Sequence, residues 1–270
     1  MAIDANGYDD LSDFTKETRT FNGKTKPVYY QGSGPGVVVM TEMPGIQPAV
    51  ADFARRVVDL GCTVAMPSLF GDDGRRASSG YAMKSILKGC VTREFAAFSR
   101  KKSPPVATWM QALCRDLHGE VGGPGVGLIG MCWTGGFALA TMVDPVVVAP
   151  VLSQPSLPLA ITKKHKAALH LSAADLKIVK ERANNGCSVL GLRFSNDGMS
   201  PGDRFATLEA ELGEGFIGVE IDSGPGNPND LSHRAHSVVT EHLQDKPGHP
   251  TRDALDQVLD LFRERLQLSA

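Results

Sequence analysis

Excess charge, long apolar runs and paired cysteines are all missing from this sequence of 270 residues. Its 28 Lys and Arg stand against 30 Asp and Glu, for a formal net charge of −2. Without a basic run or patch, nothing points to nucleic acid or a membrane surface, and a small-molecule partner is expected. No apolar stretch reaches the roughly 20 residues that cross a bilayer. The opening MAIDANGYDDLSDF is acidic and lacks the apolar centre of a secretory signal. Cys62, Cys90, Cys114, Cys132 and Cys187 are scattered, with no CxxC pair. That argues against a disulfide framework and a zinc site, and favours a reducing cytoplasm in which a thiol stays free.

What is present is the composition of an ordinary globular chain, 42% hydrophobic and 21% charged, with no linker-like stretch. One domain over 1–270 is expected, with 1–30 as an N-terminal extension and hairpin and 31–270 as the core. Asn22-Gly23 signals the hairpin turn. GVVVMTE (36–42) reads as a buried strand, PAVADFARRVVDLG (48–61) as a helix with Pro48 in its first turn and Gly61 at its end, and CTVAMP (62–67) as the next strand. A mostly helical stretch from 78 to 118, broken at Pro104-Pro105, leads to strands at 125–130, 145–152, 187–195 and 215–222. Helices GGFALATM, SAADLKIVKERA (capped by Ser172) and RFATLEAEL alternate with them, and RDALDQVLDLFRERL closes the chain. Alternation of this kind implies an α/β fold, a doubly wound, mostly parallel sheet with helices on both faces. Ligands of such sheets sit beyond the carboxyl ends of the strands. Glu42, Met43, Cys132, Ser153, Gln154, Asn196 and Asp197 fall there.

Cys132 follows the strand at 125–130 and precedes Gly135-Gly136. A free cysteine is often only a small buried hydrophobe. A nucleophile on a sharp strand-to-helix turn is the alternative, and there the helix N-terminus would favour a thiolate and the Trp133 N–H would face a developing oxyanion. Such a nucleophile needs a base and an orienting acid, in the chain order nucleophile, acid, histidine. Asp197 in FSNDGMSP supplies an acid at a strand end, with Asp203 as its rival in the first turn of a helix. DLSHRAHSVVTEHL supplies His233 and His236 in a loop, and His242 a turn or more into a helix.

The stretches MTEMPGI, VAMPSLFG, GLIGMCWTGGFALA, FSNDGMSP and AHSVV together resemble the dienelactone hydrolase family, cysteine-nucleophile members of the α/β-hydrolase superfamily. The resemblance implies an α/β-hydrolase fold and hydrolysis of small esters or lactones through an acyl-enzyme, with no cofactor or metal. It implies Cys132 as nucleophile, Asp197 as acid and His236 as base, with the N–H groups of Met43 and Trp133 holding the oxyanion. It further implies that Glu42 rests beside the thiol as its proton acceptor until substrate shifts it. Two departures stand out. Thr134 takes the place of the family's glycine two positions after the cysteine, and Thr240 stands where an arginine would hold a substrate carboxylate. Arg93, or else Arg75 or Arg76, is then the candidate carboxylate anchor, and Ser153 a further substrate contact. A broad carboxylesterase or thioesterase is the neighbouring alternative, and a non-catalytic binding module the alternative from another class.

Overall fold

The computed structural model of the protein describes residues 7–91, 95, 103–157 and 162–269. Asn22 and Gly23, with φ of 52° and 73°, form the two-residue turn between β1 (Thr15–Phe21) and β2 (Lys24–Gly32). Two positive φ angles in succession match the twist of a hairpin, which is why Asn-Gly suits this place. β2 pairs antiparallel with β4 (Thr63–Pro67), so the hairpin belongs to the main sheet rather than preceding it. The other strands, β3 (Gly36–Met40), β5 (Val126–Met131), β6 (Val147–Ser153), β7 (Val189–Phe194) and β8 (Phe216–Ile221), run parallel with β4. The order across the sheet is β1-β2-β4-β3-β5-β6-β7-β8.

Both faces are covered. Along β3, Val37 and Val39 point to one face and Val38 and Met40 to the other, as the two-residue period of a strand demands. On the first face lie α1 (Pro48–Asp59) and α8 (Pro250–Arg265). On the second lie α3 (Val106–Val121), α4 (Thr134–Thr141), α6 (Ala173–Asn184) and α7 (Gly202–Leu212). A strand buried on both sides has no polar position to spare, which explains the unbroken apolar run of GVVVM. The helix α2 (Ser79–Val91) and the short α5 (Lys163–Lys166) lie in the connections. Ser172 caps α6, its hydroxyl accepting the Asp175 N–H at 3.1 Å. The segment before the hairpin is held to α1 by Arg55, which binds Asp9 and Asp13, each at 2.7 Å.

From β3 the chain crosses outward to β4 and later returns to β5 on the other side of β3. The carboxyl ends of β3 and β5 therefore flank the crevice at which the winding reverses, the usual ligand site of such sheets. Glu42 follows one strand and Cys132 the other.

Candidate active site

Cys132 has φ of +56°, the left-handed region that a residue with a Cβ adopts only when its surroundings hold it there. The holding groups are visible. Its N–H donates to the Ser153 carbonyl at 3.0 Å, and its carbonyl accepts the N–H groups of Gly135 at 3.1 Å and Ser156 at 2.8 Å. The turn is thus tied both to its own helix, α4, and to the loop after β6. Close approach at the turn depends on two glycines. A Cβ on Gly130 would sit 2.2 Å from the Thr134 carbonyl oxygen, and one on Gly135 would sit 2.8 Å from the Pro155 Cα.

Thr134 fits this turn because its side chain points back into the sheet. Its hydroxyl accepts the Met131 N–H at 2.8 Å, with the Met40 and Met131 carbonyls at 3.1 and 2.9 Å as partners for its own proton. The threonine therefore ties the turn at Cys132 to the ends of β5 and β3, a role glycine could not take.

The histidine and acid meet as the chain order implies. His236 Nδ1 and Asp197 Oδ2 are 2.6 Å apart, and both side chains are buried. Asp197 is itself oriented, its other oxygen accepting the Met199 N–H at 2.9 Å. With Nδ1 on the acid, Nε2 is buried, has no hydrogen-bond partner among the described residues, and lies near enough to Cys132 to feel its sulfur. Burial pushes the His236 imidazole down. The Cys132 sulfur and the hydrogen-bonded Asp197 carboxylate outweigh that and hold it well above the ordinary histidine range. His233 is exposed and offers the site only its carbonyl, which accepts from Asn196 Nδ2 at 2.8 Å. Asp203 lies in the first turn of α7.

His242 is not in a helix. It closes a turn, its N–H donating to the Ser237 carbonyl at 3.0 Å and its Nδ1 accepting the N–H groups of Ser237 at 3.2 Å and His236 at 3.4 Å. These local bonds compete with helical ones and win, and the next helix starts only at Pro250.

Glu42 is 2% exposed and accepts four hydrogen bonds. Oε1 takes Gln47 Nε2 at 3.1 Å and the Thr240 hydroxyl at 2.6 Å. Oε2 takes Gln154 Nε2 at 3.0 Å and the Ser237 hydroxyl at 2.6 Å. Among the described residues no hydrogen bond joins Glu42 to Cys132, in contrast to the resting pair that the family resemblance implies. Thr240, at the place of the expected arginine, is buried and committed to this carboxylate. Of these partners, Gln154 is marked in the sequence by its strand-end position. Gln47, Ser237 and Thr240 carry no signal beyond standing near Pro48 or His236.

The Met43 and Trp133 N–H groups lie just beyond β3 and at the start of α4, and neither donates to a main-chain carbonyl among the described residues. The Trp133 indole packs away from solvent against Phe70 at 5.9 Å and Phe95 at 5.5 Å, centroid to centroid. Ser153 is fully buried and its hydroxyl donates to Gln154, so it offers the turn its carbonyl rather than a side chain facing substrate. Arg93 lies outside the described residues. Arg75 pairs with Asp72 at 2.9 Å and stacks on Tyr81, lining a cavity of about 650 Å³ beyond β4, and Arg76 is exposed. Arg204, which nothing in the sequence marks, is buried and binds the carbonyls of Pro155 at 2.5 Å, Ala168 at 2.8 Å and His165 at 3.2 Å.

Among the described residues no helix is long and apolar enough to cross a membrane. The sequence profile of the dienelactone hydrolase family matches residues 24–186. Dienelactone hydrolase from Anabaena variabilis superposes with a TM-score of 0.58 at 14% identity, covering 94% of this chain and 99% of that one. A dienelactone hydrolase-like promiscuous phosphotriesterase from metagenomic libraries gives 0.59 at 18% identity, covering 93% and 98%. The thioesterase domain of a curacin biosynthetic pathway gives 0.54 at 11% identity, covering 92% and 99%. No curated protein sequence matches the chain. At these identities the superpositions speak for the fold. The profile match, which runs through the strand, turn and helix around Cys132 and over more than half of the 270 residues, is what places the chain in the dienelactone hydrolase family, a family of hydrolases.

Proposed function

We propose that the protein hydrolyses small, neutral esters or lactones through an acyl-enzyme on Cys132, in a Cys132–His236–Asp197 triad. The observation that carries this reading is the left-handed Cys132 beside a buried His236 whose other nitrogen is fixed on Asp197 at 2.6 Å. His236 accepts the thiol proton, and Sγ attacks the acyl carbon. The carbonyl oxygen becomes an oxyanion facing the N–H groups of Met43 and Trp133. On collapse the C–O bond to the alkoxide breaks, His236 returns the proton to that oxygen, and a thioester remains on Cys132. Water then attacks the thioester carbonyl, His236 takes its proton, and the acid leaves as the thiolate re-forms. Asp197 keeps the imidazole in the tautomer that both steps need.

Preference for uncharged substrates follows from Thr240, which offers no cation and spends its hydroxyl on Glu42. A charge-assisted arginine contact is worth about 1.5–3 kcal/mol. Without it, a carboxylated lactone should gain little over its methyl ester. The test is release of p-nitrophenol from a short acyl ester. Wild type should turn over and Cys132→Ala should not, and equal activity of the two would remove the thiol from the mechanism. A strong preference for the carboxylated lactone would overturn the substrate reading alone.

A further inference from the structure

We infer that in this chain Glu42 is a positioning residue for His236 and not the resting proton acceptor of the Cys132 thiol. This rests on the reading of Cys132 as nucleophile and goes beyond it. The carboxylate is buried, and each oxygen receives one amide N–H and one hydroxyl O–H. A carboxylate presents about four acceptor positions, so this one is filled. Moving it to the thiol would strand four donors in the interior, and among the described residues no cation is hydrogen-bonded to it to draw it elsewhere.

The donors come from three separate segments. Gln47 is the residue before α1, Gln154 follows β6, and Ser237 and Thr240 belong to the turn that carries His236. Gln154 strengthens the link, because its Oε1 also accepts the Val238 N–H of that turn at 3.3 Å, while its own N–H donates to the Leu192 carbonyl at 2.7 Å. The carboxylate thus pins the residue after His236, and one three further on, to the ends of β3 and β6. His242 ties the same turn from the other side through the His236 and Ser237 N–H groups. A histidine loop held at these points fixes where Nε2 lies relative to the thiol before substrate arrives, with no movement of Glu42 required.

The test separates the carboxylate's charge from its shape. Glu42→Gln fills the same space. With its amide nitrogen toward Gln47 and Thr240, the Thr240 hydroxyl can turn to accept and the Gln47 amide can turn over. Glu42→Ala removes every tie. Alkylation of Cys132 by iodoacetamide is followed by peptide mass spectrometry across a pH series, alongside turnover and urea melting. Glu42→Gln should keep the wild-type alkylation midpoint with turnover reduced several-fold. Glu42→Ala should move the midpoint upward by about one pH unit, a tenfold loss of thiolate at a given pH, as the histidine partner drifts. Should Glu42→Ala not fold, Ser237→Ala replaces it and should move the midpoint in the same direction by less. A midpoint that shifts as far in Glu42→Gln as in the alanine variant would mean the charge acts on the thiol directly, and the proposal would fail. It would fail equally if no variant moved the midpoint. Failure of the underlying reading is seen separately, with Glu42 left native, as hydrolysis that survives Cys132→Ala.

Discussion

Replacing Thr134 by valine removes one oxygen and keeps the shape, so the variant isolates what the hydroxyl does for the turn at Cys132. In the native turn the Met131 N–H is accepted by that hydroxyl at 2.8 Å, in a place with no exposure to solvent. Valine leaves the N–H buried and unpaired, which costs about 1–3 kcal/mol. The loss of the donated bond to Met40 or Met131 adds a fraction of that, and the extra apolar methyl returns part of it. A net destabilisation of about 2 kcal/mol is expected, or about 3–4 °C in Tm for a chain of this size. Thr134→Ser, which keeps the hydroxyl and loses one methyl, should cost about 1 kcal/mol. Urea denaturation monitored by circular dichroism gives both values if the slope is unchanged. Turnover should fall in the valine variant more than in the serine variant, because only valine unties the turn from the ends of β3 and β5. A valine variant as stable as wild type, or more stable than the serine variant, would refute the assignment of the hydroxyl as a tie.

Iodoacetamide should label Cys132 before the other described thiols. Burial pushes Cys62 up to about 11, and raises Cys114 and Cys187 as well, which keeps all three protonated. Peptide mapping that finds Cys187 labelled first would count against the turn as the reactive site. His236→Ala should cost about 10²–10⁴ in turnover. His233→Ala, with an exposed ring, should stay close to wild type, and the reverse result would move the base. His242 gives a pH dependence of stability. Burial lowers its pKa below 6.5, and the neutral ring is needed to accept two N–H groups. Its contribution is therefore present above about pH 6.5 and lost as pH falls through the depressed folded value. The stability gap between wild type and His242→Leu should narrow on acidification, and a gap that widened would contradict the bonding of Nδ1.

The fold was legible because its signals were local and periodic. Asn22-Gly23, Pro48 with Gly61, and Ser172 each mark a boundary by a backbone requirement, and each marks one in the structure. The turn at Cys132 was legible for the same reason, since its glycines answer to close approach. Asp197 and His236 meet across 39 positions of sequence. Their order and strand-end placement carried that information. The surroundings of Glu42 did not show. Four donors from three segments converge on it through the register of strand ends, and no spacing in the sequence encodes a convergence of that kind. The place of His242 in a turn rather than a helix is not legible either, because it is set by two N–H groups bound to its ring.

Arg204 shows how one residue can serve both geometry and charge at such a site. Burial pushes its guanidinium down to about 10, while the nearby Cys132 and Asp197 charges pull the other way, so it remains a cation at neutral pH. Among the described residues no carboxylate is bonded to it. Its fork is spent on three carbonyls, and one of them, Pro155, lies between the loop residues that hold Cys132 and Glu42. Ser156 donates to the Cys132 carbonyl, and Gln154 donates to the Glu42 carboxylate. A buried cation bound only to neutral acceptors is costly unless charges of opposite sign lie near it. Here the groups that favour its charge are Asp197 and Cys132. The loop after β6 is therefore held in its observed form partly by Arg204, and the turn that presents Cys132 is held by that loop.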